Sequence, residues 1–86
     1  MESFSYKIKD SLGIHARPAG MLVKLAQEFE DTVLTIEKDG RSVRLDRVLA
    51  LMSLGVKNGD EITVTAEGRQ EKEACEKTEK FFRENL

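Results

Sequence analysis

The chain has no tryptophan, one proline, one cysteine and one histidine, and each scarcity narrows what it can do. A single Cys75 closes no internal disulfide, and its place in a helical pattern suits a small apolar side chain, so it reads as structural. One histidine and one cysteine in distant segments give no tetrahedral ligand set, which argues against a metal site, and nothing in the sequence asks for a cofactor. An excess of one charge is also missing. Fourteen Lys and Arg stand against 16 Asp and Glu, interspersed along the chain, with no basic arm or stripe to hold a nucleic acid. No run approaches the roughly 18 apolar residues of a membrane span. The opening Met1-Glu2-Ser3-Phe4 lacks the basic flank and apolar stretch of a signal peptide, so the expected place is the cytoplasm, without membrane insertion.

With 40% hydrophobic and 35% charged residues, the 86-residue sequence lies in the range of chains that fold. Independent domains seldom fall much below about 50 residues, so residues 1–86 are expected to make one domain. Phe4, Tyr6 and Ile8 alternate with Ser5, Lys7 and Lys9, the period of a half-buried strand over 4–9. From about Arg17 to Phe29, Leu22, Leu25, Ala26 and Phe29 recur at helical spacing, and Pro18 fits the first turn, where its fixed φ favours initiation.

Two short extended runs, 32–38 and 42–45, flank Asp39-Gly40, a strong signal for a two-residue hairpin. Asp46 is placed to cap a short apolar helix over 48–54 that stops at Gly55. After a turn at Lys57-Asn58-Gly59-Asp60, the alternation of Ile62, Val64 and Ala66 with Thr63 and Thr65 predicts a fourth strand. A last helix follows Gly68 with Ala74, Thr78, Phe81 and Phe82 inward. The order is βαββαβα. Four antiparallel strands with one apolar face, covered on that side by three helices, make an α+β two-layer open-faced sandwich.

His15 stands at the start of the first helix pattern rather than within an apolar face. A helix N-terminus offers unpaired N–H groups and a partial positive charge, a natural seat for phosphate or another anion. Histidine is largely neutral near neutral pH and forms covalent intermediates, so it suits attack on a phosphoryl donor. Two residues on, the Arg17 guanidinium can fork onto phosphate oxygens. The N–H groups of Ala16 and Arg17 add donors, Pro18 none, and Gly13 lets the chain bend ahead of His15. From placement alone, His15 is either such a nucleophile or an ordinary surface or capping residue.

The run Gly13-Ile14-His15-Ala16-Arg17-Pro18-Ala19 resembles the signature around the phosphorylated histidine of HPr, the phosphocarrier of the bacterial sugar phosphotransferase system. Leu51-Met52-Ser53-Leu54-Gly55 resembles that family's short second helix and the turn after it. Together with the element order, the likeness covers essentially the whole chain. It implies a carrier, not an enzyme with its own small substrate: Enzyme I charges His15 from phosphoenolpyruvate, and a sugar-specific component A domain of a permease takes the group off. It also implies that Arg17 is the phosphate-site arginine. The alternative within the same resemblance is a regulatory HPr-like protein acting by binding, or the carrier of a nitrogen-related phosphotransferase chain.

Many family members carry a regulatory serine, the target of an ATP-dependent kinase, where this chain has Arg47; neither Ser42 nor Ser53 replaces it by position, which argues against kinase control. Arg47 is either a tolerated surface residue or a contact to a partner's carboxylate. The short helix is more apolar than one buried face absorbs. Val48, Leu49 and Met52, with Gly20 and Met21 of the first helix, are candidates for an apolar docking patch around His15. Leu51 is expected in the core, whereas Leu49 and Met52 stand open between core and surface. A monomer is expected, with exchange of the first strand between chains conceivable in so small a sheet.

Overall fold

Lys38 and Arg41 face each other across a two-residue turn in which Asp39 and Gly40 both take positive φ, 51° and 83°. This mirror-image turn matches the twist of paired strands, and it joins β2 (Thr32–Lys38) to β3 (Arg41–Arg44) as an antiparallel hairpin. In this computed structural model, which describes residues 1–86, the remaining elements are β1 (Glu2–Lys7), α1 (Ala16–Gln27), α2 (Val48–Ser53), β4 (Glu61–Gly68) and α3 (Glu71–Asn85). The sheet runs β1-β4-β2-β3, antiparallel throughout. The α+β open-faced sandwich in βαββαβα order is the observed architecture.

Register explains which face the helices cover. Phe4 pairs with Val64, Val64 with Ile36, and Ile36 with Val43, one apolar row across all four strands. Val64 and Ile36 are fully buried beneath the helices. The intervening residues form the open face, where the Ser5 and Thr63 hydroxyls bond across the strands at 3.0 Å. Such alternation needs cover on one side only. Phe82 of α3 is fully buried and lies edge-on to Phe4, Tyr6 and Phe81, with ring centroids 5.7, 5.8 and 6.3 Å away. That cluster fastens α3 to β1 and is the densest aromatic contact in the core.

Several boundaries and one cap differ from the sequence expectation. β1 lies two residues earlier than the alternation suggested, and Ile8 beyond its end is still buried, because its N–H is taken by Asp60 O at 2.9 Å in the loop before β4. Helix α1 begins at Ala16 and stops at Gln27, leaving Phe29 to pack into the core from the turn that follows. Asp46 does not cap α2. Its carboxylate forks onto Arg44 (Nε 3.0 Å, Nη2 2.8 Å) and stands 3.7 Å from Arg47 Nε, while Arg47 occupies the cap position without a side-chain bond. A bidentate guanidinium contact outcompetes a single N–H for the same oxygens.

Candidate functional site

The loop between β1 and α1 bends by means of two local devices. Asp10 Oδ1 accepts the Leu12 N–H at 2.8 Å, a side-chain mimic of a backbone turn, and Gly13 then adopts φ +66°. A β-carbon at Gly13 would collide with the Val56 carbonyl oxygen and lie 2.7 Å from Lys57 Cα, so only glycine fits where the loop rests on residues 56–57. Ile14 follows, buried, with its N–H bonded to Val56 O at 3.1 Å.

His15 is the N-cap of α1. Its backbone is extended (φ −95°, ψ −172°), and its carbonyl accepts the Ala19 N–H at 3.0 Å. The imidazole makes no capping bond and is half-exposed. The Ala16 and Arg17 N–H groups find no partner, and Pro18, third in the helix, has none to offer. No acidic residue occupies the first turn, and Arg17 there forms no ion pair. A cation at this end of a helix costs on the order of 0.3–1 kcal/mol, so the local arrangement lacks an anion for its own electrostatic balance.

His15, Arg17, Pro18 and Met21 line one shallow cleft of about 160 Å³ together with Asp10 and Asn85. The last two were not foreseen. Asn85 lies 70 positions from His15 in sequence, and it reaches the cleft because Leu86 O accepts the N–H groups of Lys9 and Asp10 at 2.6 and 2.8 Å. Nothing local in the sequence signals that pairing.

Helix α1, which supplies Arg17, Pro18 and Met21 to the cleft, packs against α2. Gly20, Met21, Arg47, Val48, Leu49 and Met52 are all exposed, Leu49 at 81%, while Leu51 is fully buried. Both residues left open by the sequence therefore face solvent. No group of three or more His, Cys, Asp or Glu side chains is close enough to hold a metal ion, and no helix is long and apolar enough to cross a membrane. Burial pushes the Cys75 thiol up from its ordinary range, with Glu79, Glu2 and Glu76 adding to the effect, which leaves it a poor nucleophile.

The sequence model of the family described as "PTS HPr component phosphorylation site" matches residues 2–84. Over 74 residues the chain is 39% identical to the phosphocarrier protein HPr of Mycoplasma genitalium, covering 86% of this chain and 84% of that one. It is similar to a solved histidine-containing phosphocarrier protein of Mycoplasma, with a TM-score of 0.92 and 31% identity over 96% of this chain and 93% of the other. Crh of Bacillus subtilis, solved as a domain-swapped dimer, shares 36% identity and a TM-score of 0.78 over 94% and 92% of the two chains. Fold and sequence thus define a phosphocarrier protein. The chain belongs to the HPr family of the phosphotransferase system.

Proposed function

We propose that residues 1–86 act as one HPr-like domain whose His15 accepts a phosphoryl group from phosphorylated Enzyme I and passes it to the sugar-specific component A of the phosphotransferase system. A lone pair on the neutral imidazole forms the new P–N bond as the bond between phosphorus and the donor atom breaks, and the reverse sequence at component A restores the free ring. Arg17 holds the phosphoryl oxygens in both directions, and the Ala16 and Arg17 N–H groups complete the seat. The protein is a carrier and not an enzyme, because a second protein supplies or removes the group at each step.

One observation carries this reading: Arg17 lines the same cleft as His15, at a helix end with two partnerless N–H groups and no acidic residue in the first turn. Partners dock on Gly20, Met21, Val48, Leu49 and Met52, with Arg47 at the edge, an apolar patch of the modest kind that transient relays use. The reading takes the protein as a cytoplasmic monomer, with His15 and Arg17 close enough in one chain to line the same cleft. The test is intact mass after incubation with phosphoenolpyruvate and catalytic Enzyme I. A single phosphoryl adduct on the wild type and none on His15→Ala supports the reading; an adduct on both, or on neither, refutes it.

A further inference from the structure

Lys38 ends β2 and lies outside the His15 cleft, yet its side chain is only 17% exposed. It lies inward rather than in solvent, although ordering a lysine costs more rotamer freedom than ordering almost any other residue. Its Nζ donates to Gly55 O at 2.7 Å and meets Asp60 Oδ2 at 2.9 Å. The same Asp60 oxygen accepts the Lys57 N–H at 2.8 Å. One ammonium thus brackets the segment from the end of α2 to the start of β4, holding both of its ends.

That segment supports both ends of the loop that presents His15. At the near end, Ile8 N–H bonds to Asp60 O, Gly59 N–H to Ile8 O at 2.8 Å, and the Asn58 amide to Lys9 O at 3.0 Å. At the far end, Gly13 is seated against Val56 and Lys57, and Ile14 N–H bonds to Val56 O. His15 follows directly, its own N–H returning to Gly13 O at 3.1 Å. We propose that Lys38 is a positioning residue for phosphoryl transfer: clasped to Gly55 and Asp60, it fixes the 55–60 segment on which the His15 loop is seated. The Asp60 carboxyl, held below the usual range first by Lys38 and then by the Lys57 N–H, stays charged and keeps the clasp closed under ordinary conditions. Lys38 and Lys57, both cationic, are the charged groups facing it.

The inference rests on the carrier reading, so two readouts are needed. In the free protein, amide hydrogen exchange at Ile14 is expected to rise at least tenfold in both Lys38→Met and Asp60→Asn. Exchange at Phe82, in the core of α3, should stay within twofold and so report that the variants are folded. With Enzyme I and phosphoenolpyruvate, kcat for charging Lys38→Met is expected to fall at least fivefold with KM within twofold. Lys38→Arg should recover most of both effects, and the double variant should be no worse than either single one. Unchanged Ile14 exchange overturns the clasp. Raised exchange with unchanged kcat overturns the positioning role and leaves a merely structural contact. If wild type takes no phosphoryl group from an active Enzyme I, the carrier reading itself fails, and the exchange result still decides whether the clasp orders the loop.

Discussion

Gly13 rests directly on the Val56 carbonyl, with no room between them for a β-carbon. Its left-handed backbone makes any side chain there unfavourable as well. Gly13→Ala is therefore expected to destabilise the protein by about 1–3 kcal/mol and to move Ile14, the neighbour of His15, off its support on Val56. Urea unfolding checks the first effect. A lowered rate of phosphorylation at temperatures where the variant is still folded checks the second.

The exposed and buried residues of α2 should separate cleanly. Leu51→Ala removes a fully buried side chain and is expected to cost about 2–5 kcal/mol. Leu49→Glu and Met52→Glu alter exposed positions and should change stability by no more than about 0.5 kcal/mol, while raising KM for Enzyme I or component A. Loss of stability without a change in KM in these two variants would place them in the core's service rather than the partner's.

Asp60 ties part of the acid stability to one identifiable contact. Its carboxyl is held down in the folded protein first by the Lys38 ammonium and next by the Lys57 N–H. A depressed folded value contributes stability that is fully present above the unfolded carboxylate range, near pH 4, and is lost as pH falls through the folded value. Glu71, held down by the Met1 amino group and the Gly68 N–H, acts in the same direction. Urea midpoints measured downward from neutral pH should decline below that range, and more shallowly in Asp60→Asn than in wild type.

Cys75 should react slowly with a thiol reagent in the folded state and quickly in denaturant, since burial keeps the thiol protonated and covered. Fast labelling without unfolding would show that α3 opens locally from the sheet.

What could be read from the sequence was whatever repeats at a fixed interval or is confined to neighbouring residues. Phe4, Ile62, Val64 and Phe82 announced their faces by periodicity, Asp39-Gly40 announced its turn, and the run from Gly13 to Ala19 carried both the helix start and the histidine. Exposure on α2 was legible mainly as a surplus: the sequence shows too many apolar residues for one face and puts Leu51 inward, while only the packed structure decides that Leu49 and Met52 are exposed. Contacts between distant segments left no local signal. Local competition misled as well, since Asp46 looked like a cap but Arg44, two residues away, claims its carboxylate. Asn85 reached the cleft, and Lys38 reached Gly55 and Asp60, through tertiary contacts alone.

The most direct test of the account is a chase from purified phosphoprotein. The chain, labelled from phosphoenolpyruvate and freed of Enzyme I, is mixed with a component A domain and followed by intact mass, alongside Arg17→Ala. The account predicts an adduct lost in mild acid but stable in base, transferred in full to component A, and transferred more slowly in Arg17→Ala. An adduct that resists acid, or that stays on the chain in the presence of an active component A, would contradict it.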